Sequence, residues 1–344
     1  MSIPIENIYY LLCYAWNKLD EKDRVAVSAE DYTKLLDLLA KVLINSTRIL
    51  LKRGIDRNYI DFTTEFAGVK GKLELSQTVK SQLLLKQRTI CRFDEFSSNI
   101  LTNQILITTL NRLIRTVDLD IKLKSEIKNL LWRFDGITPI ELKNSTFSKI
   151  KLHRNNKFYG FILNVCHLIH ENSLLSEKTG NWHFTDFLRD ERKMNQLFEA
   201  FLRNFYSIEQ KEFKVRRENI NWQFSTSDNQ HLQFLPLMQT DITLENNYLK
   251  IIIDAKYYKE SLKENYGQEK ISSANLYQLF SYLLNQHKDD MKTQTATGIL
   301  IYPTIERDYD LQYQYQNHKI LIKTVNLNSD WRSIERRLKS IIAL

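Results

Sequence analysis

The sequence has little of what marks secreted, membrane-spanning or nucleotide-hydrolysing proteins. Its three cysteines, Cys13, Cys91 and Cys166, lie far apart in apolar or mixed segments. No C-x-x-C pair offers a zinc or redox site, so buried, reduced thiols are expected. No apolar run reaches membrane-spanning length, and Met1-Ser2-Ile3-Pro4-Ile5-Glu6 lacks the basic and then apolar stretches of a secretory leader. A cytoplasmic protein with no membrane contact is therefore the expectation. The histidines form no H-E-x-x-H or clustered ligand set, and His167 and His170, on one helical stretch, read as structural. Gly68-Val69-Lys70-Gly71-Lys72-Leu73 has glycines too closely spaced for a phosphate loop and no Ser or Thr after the lysine, so the chain should not hydrolyse nucleotides itself. Repeats and low-complexity tracts are absent, and no basic tail gathers the charge.

What is present is a length of 344 residues, enough for two domains, and a formal net charge of +8 spread over folded segments. Such a surplus favours an anionic partner, with DNA or RNA fitting better than lipid in the absence of an amphipathic anchor. Helical spacing of apolar residues runs through 32–51 and 100–117. Between them, 59–93 mixes β-branched and aromatic residues around the Gly68–Gly71 turn and reads as a small antiparallel sheet. The break at Asp135-Gly136-Ile137-Thr138-Pro139 puts a domain boundary near residue 150, giving domains 1–150 and 151–344. The second part reads as helix 194–206, strands 235–244 and 249–257, helix 275–284, strands 297–303 and 319–325, and helix 331–342. The expected fold class is α/β within an α+β whole: an N-terminal mixed α+β domain, then a mixed sheet flanked by helices.

The chemistry concentrates where two β-runs meet at Asn246-Asn247. Alternation puts Asp254 and Lys256 on one face of their strand and Ile251, Ile253 and Ala255 on the other. With a two-residue turn, Glu245 pairs with Tyr248 and Asp241 with Ile252, which brings Asp241 to the face of Asp254. A one-residue change in loop parity would send it to the other face. Two carboxylates on adjacent strands suit Mg²⁺, and the Ala255 carbonyl is a further oxygen. The metal would activate water while the Lys256 ammonium orients the nucleophile and stabilises charge on a phosphate, which is phosphodiester hydrolysis. An acid two residues before a lysine is common here, as at Asp120/Lys122 and Glu209/Lys211, so the tripeptide alone is weak. What distinguishes Asp254 is its apolar strand, the small Ala255 and the second acid at matching parity; the competing reading is an exposed hairpin with a charged, solvated face. Gln278 and Tyr282, one turn apart, face metal water or DNA phosphate, or else belong to an ordinary amphipathic helix. Glu199 is a candidate third metal carboxylate, or a helix-surface glutamate.

Taken in order, Asn7-Ile8-Tyr9-Tyr10-Leu11-Leu12-Cys13-Tyr14-Ala15-Trp16, Gly68 to Glu74, Phe93-Asp94, Arg189-Asp190-Glu191, Thr240-Asp241-Ile242, Ile253-Asp254-Ala255-Lys256-Tyr257-Tyr258 and Asn275-Leu276-Tyr277-Gln278 resemble the McrC family over nearly the whole chain. These are the nuclease subunits of McrBC-type modification-dependent restriction systems, of the PD-(D/E)xK superfamily. The resemblance implies an N-terminal domain that docks on a hexameric McrB-like AAA+ GTPase, with the 59–93 sheet as the place to look for a projection into the ring. It also implies a C-terminal endonuclease domain that cuts double-stranded DNA carrying modified cytosine with Mg²⁺, GTP being used by the partner, whose hydrolysis this chain stimulates. Asp241, Asp254 and Lys256 match the catalytic motif, and Gln278 and Tyr282 match an auxiliary Gln-x-x-x-Tyr pattern. Thr240 stands where the motif has proline. Two other functions stay open: a partner-binding GTPase activator whose nuclease fold is idle, and a free-standing DNA-repair exonuclease.

Overall fold

The computed structural model describes residues 3–17, 34–176, 180–258, 263–265, 268–286, 290–304 and 308–343. The chain forms two compact units, one of residues 34–185 and one of residues 1–33 with 186–344. The single boundary expected near residue 150 is thereby corrected at both ends.

Helix α1 (Ile5–Ala15) explains the first correction. Its apolar face, Ile8, Leu11, Leu12 and Cys13, is buried, and the Tyr14 ring meets Phe201, Phe205 and Trp331 at 5.7, 5.3 and 5.5 Å. Asn7 Nδ2 donates to the Leu327 and Ser329 carbonyls at 2.8 and 2.9 Å, and Tyr14 OH donates to Glu209 at 2.7 Å. These partners all lie beyond residue 186, so the start of the chain belongs to the C-terminal core.

The unit of residues 34–185 runs α2 (Leu35–Arg53), β1 (Asn58–Phe66), β2 (Lys72–Leu73), α3 (Leu75–Lys80), β3 (Thr89–Ser97), α4 (Leu101–Ile114), α5 (Ile121–Leu131), α6 (Asn144–Ser148), α7 (Tyr159–Glu171), β4 (Ser173–Leu175) and β5 (Trp182–Phe184). The helix anticipated from residue 32 starts at Leu35; positions 32 and 33 lie outside the described residues. The anticipated small antiparallel sheet is present, in the order β1-β3-β2. At Gly71 the chain turns with φ +68°, and a Cβ there would lie 2.5 Å from the Arg92 carbonyl oxygen, so only glycine fits that approach. The second correction follows from α7: Tyr159 OH donates to Asn103 Oδ1 at 2.5 Å and accepts from the Asp56 amide at 3.0 Å, tying residues past 150 to this unit.

The other unit continues with α8 (Glu191–Glu209), β6 (Lys214–Arg216), β7 (Asn219–Ile220), β8 (Met238–Gln239), β9 (Ile242–Glu245), β10 (Lys250–Ala255), β11 (Lys263–Asn265), β12 (Gln268–Lys270), α9 (Ser273–Leu284), α10 (Met291–Gln294), β13 (Thr297–Thr304), β14 (Asp310–Tyr315), β15 (His318–Asn326) and α11 (Trp331–Ile341). Its mixed sheet has six strands in the order β14-β15-β13-β10-β9-β6, parallel from β10 through β13 to β15 and antiparallel at both edges. Both faces of β10 and β13 are buried, as a parallel centre covered by helices requires. On one face α9 packs Leu279, Tyr282 and Leu283 against Ile252, Leu300, Tyr302, Ile320 and Ile322. The helix comes so close that a Cβ on Gly298 would lie 2.9 Å from Leu283 Cδ1. No helix among the described residues is long and apolar enough to cross a membrane.

Candidate nuclease centre

The hairpin of β9 and β10 delivers the acids, with a register set by a side chain. Asn246 Oδ1 accepts from the amides of Tyr248 and Leu249, both at 2.8 Å, and the Asn246 amide donates to the Leu249 carbonyl at 3.0 Å. This asparagine-capped loop replaces the two-residue turn. Glu245 therefore pairs with Lys250 instead of Tyr248, and Thr243, not Asp241, lies opposite Ile252. The slip is by an even number of residues, so the facing expected for Asp241 survives and the continued ladder puts it across from Asp254. Asp241 sits in the bend just before β9, where its Oδ2 accepts the Ala255 N–H at 3.0 Å.

Asp254 is fully buried. Its Oδ1 accepts from Lys256 Nζ at 3.0 Å, while Oδ2 is buried with no hydrogen-bond partner. Burial pushes this carboxyl up to about 8; the Lys256 ammonium opposes that rise and neighbouring Asp241 adds to it. For Lys256, 13% exposed, burial disfavours the ammonium, but Asp254 and Asp241 more than compensate and hold it above the ordinary lysine range. Two carboxyls converge beside one ammonium, and an orphaned buried oxygen is what a cation would satisfy. These residues fit a divalent metal.

Glu199, on α8, lies within electrostatic reach of Asp241 and Lys256, and its carboxyl is raised by burial and then by Asp241. Its oxygens are engaged elsewhere: Oε1 accepts from Asn195 Nδ2 at 2.5 Å, and Oε2 is 3.4 Å from Arg217 Nη2. Among the described residues no group of three or more His, Cys, Asp or Glu side chains is gathered closely enough to hold a metal ion. Gln278 and Tyr282 do share a face, and a chain of hydrogen bonds joins them to the backbone. Gln278 Nε2 donates to Tyr282 OH at 2.7 Å, and that hydroxyl donates to the Gln239 carbonyl at 2.8 Å. The pair thus holds β8, two residues before Asp241.

Sequence reasoning passed over Asn195. Its Oδ1 accepts the Tyr257 amide at 2.8 Å while its Nδ2 holds Glu199, fastening α8 to the end of β10. The i,i+4 spacing of Asn195 and Glu199 was the available signal. Arg217 carried none, because its neighbour Glu199 is distant in sequence.

The family described as "McrBC 5-methylcytosine restriction system component" matches residues 6–303. The chain is 33% identical over 339 residues to the "Type IV methyl-directed restriction enzyme EcoKMcrBC" of Escherichia coli K12, covering 98% of this chain and 97% of that one. Its fold is similar to a chain of the "half-complex from tetradecameric assembly of Thermococcus gammatolerans McrB AAA+ hexamers with bound McrC", with a TM-score of 0.58 and 18% identity over 98% of this chain and 76% of that chain.

Proposed function

The chain belongs to the McrBC 5-methylcytosine restriction system family, and from that membership we propose that it is the DNA-cutting subunit of a GTP-dependent restriction complex. The observation that carries the proposal is the Asp254 carboxylate beside Asp241, whose Oδ2 is buried without a partner while its Oδ1 accepts from Lys256 Nζ at 3.0 Å. Asp241 and Asp254, with the Ala255 carbonyl as a further oxygen, would hold Mg²⁺, which when bound supplies Lewis acidity and a water of lowered pKa for phosphodiester hydrolysis. Lys256 keeps its proton in this site and places a fixed positive charge where charge builds on the phosphate. Tyr282 and Gln278 hold the β8 backbone that leads into Asp241, and Asn195 holds the strand end that carries Lys256. Positioning of this kind is a large part of catalysis where the protein does no covalent chemistry.

The partner in this reading is an McrB-like AAA+ GTPase hexamer, which uses GTP and whose hydrolysis the chain stimulates; the substrate is duplex DNA carrying modified cytosine. Docking falls to the unit of residues 34–185. Its sheet and the segment beside it expose the large apolar side chains of Tyr59, Val69, Leu84, Leu85 and Phe96, which is where a partner would gain most by covering them. The test is a cleavage assay of the purified chain with its GTPase partner, GTP and Mg²⁺ on methylated and unmodified duplexes. Cutting of the methylated duplex alone is expected. A complex that hydrolyses GTP and leaves methylated DNA intact with Mg²⁺ or Mn²⁺ overturns the proposal in favour of an idle nuclease fold.

A further inference from the structure

Beside the acid pair, on the α8 side, stands a pair of arginines that the cutting chemistry does not use. Arg203 follows Glu199 by one helical turn and shares its face of α8. Arg217 follows β6, whose antiparallel pairing of Arg216 with Thr243 carries the chain toward the end of β9 where Asp241 sits. There Arg217, 44% exposed, lies 3.4 Å from Glu199 Oε2. Arg203 has no carboxylate within ion-pair distance among the described residues, and its Nη1 is buried with no hydrogen-bond partner. Its charge interacts with Arg217, Glu199 and Asp241 at longer range.

We propose that Arg203 and Arg217 form a clamp for a backbone phosphate of the bound duplex, neighbouring the phosphate that is cut. The inference rests on the nuclease reading. The like charges of Arg203 and Arg217 oppose each other, the single Glu199 carboxylate 3.4 Å from Arg217 does not neutralise both, and a buried guanidinium N–H without an acceptor is costly. Burial first, and then Arg217, weigh against the Arg203 cation, which Glu199 and Asp241 only partly offset. An anion between the two arginines removes the first penalty, and it removes the second once the Arg203 side chain turns its Nη1 outward to meet it. In a DNA-cutting site the anion at hand is a phosphodiester, whose oxygens match the planar fork of a guanidinium. Glu199 takes a different part in this arrangement from that of a metal ligand. Fixed by Asn195 through one oxygen, it aims Arg217 with the other and acts as a positioning residue.

The experiment measures duplex binding by the full chain in complex with its GTPase partner, without divalent cation so that nothing is cut, at a series of salt concentrations. Each phosphate contact contributes about −0.9 to the slope of log K against log salt. Arg203→Ala and Arg217→Ala are each expected to weaken binding and flatten the slope by about 0.9, and the double variant by about 1.8. Arg203→Lys should keep the slope, since the charge remains, while cleavage with Mg²⁺ falls because the fork is lost. Slopes and affinities equal to wild type, in variants of a protein that cuts DNA normally, overturn the clamp and leave the nuclease standing. If Arg203→Ala lowers the melting temperature without flattening the slope, and Arg217→Ala also leaves the slope unchanged, the arginines are structural and the clamp is again overturned. Flattened slopes in a complex that never cuts support the clamp and fail the nuclease reading instead.

Discussion

Removing one hydroxyl, in Tyr282→Phe, tests how the α9 face serves the acids. That hydroxyl donates to the Gln239 carbonyl at 2.8 Å and accepts from Gln278 Nε2 at 2.7 Å. The phenyl ring keeps the packing against Ile252, Leu283 and Leu300, so the change removes two hydrogen bonds and little apolar contact. A net hydrogen bond contributes about 1 kcal/mol, and because Gln239 is exposed, water can replace part of the loss. The expected destabilisation is about 1–2 kcal/mol, or roughly 2–8 °C in the melting temperature of a unit of this size. The functional effect should be larger in proportion. Gln239 lies two residues before Asp241, and a displacement near 1 Å at a reacting group costs about 10²-fold in rate. Cleavage kcat should fall by about 10- to 100-fold with KM for DNA nearly unchanged, and Gln278→Ala should do the same more weakly. A variant that melts as expected yet cuts at the wild-type rate refutes the positioning argument. A rise in KM at constant kcat refutes it too, because the hydroxyl would then be a substrate contact.

Other substitutions probe the remaining parts. Gly298→Ala forces a methyl to 2.9 Å from Leu283 Cδ1 and 3.0 Å from Leu279 Cδ2, and overpacking of this kind should cost about 1–3 kcal/mol, read by thermal unfolding. Lys256→Ala should lower single-turnover cleavage by about 10²- to 10³-fold, the usual loss for one preorganised charge, and a smaller drop assigns that role elsewhere. Tyr59→Glu and Leu85→Glu, at positions 69% and 85% exposed, should leave melting unchanged while weakening partner binding about tenfold or more; unchanged affinity moves the docking surface off this sheet.

The face shared by Asp241, Asp254 and Lys256 was legible in the sequence because parity survives a shift of two residues, whereas the register itself was not. Asn246 could sit inside a tight turn or cap a longer one, and only the bonds from its side chain to Tyr248 and Leu249 decide between them. The central strands announced themselves by apolar runs. Edge strand β14, Asp-Leu-Gln-Tyr-Gln-Tyr, is mostly exposed and lacks the apolar signal, and three-residue β6 is too short to give one. The boundary near 150 failed for a different reason. The apolar face of α1 is evident, but nothing local to it says that Phe201, Phe205 and Trp331 are what it covers. Asn195 and Arg217 were missed on the same ground, since each acts through partners that only the fold brings near.

The central claim is most directly tested by Asp254→Ala in the complex, with cleavage of methylated duplex and hydrolysis of GTP followed in one reaction containing Mg²⁺. Loss of cutting with GTP hydrolysis still stimulated is the predicted result. Cutting that persists in this variant means that the carboxyl at the heart of the site is not the one that breaks the DNA.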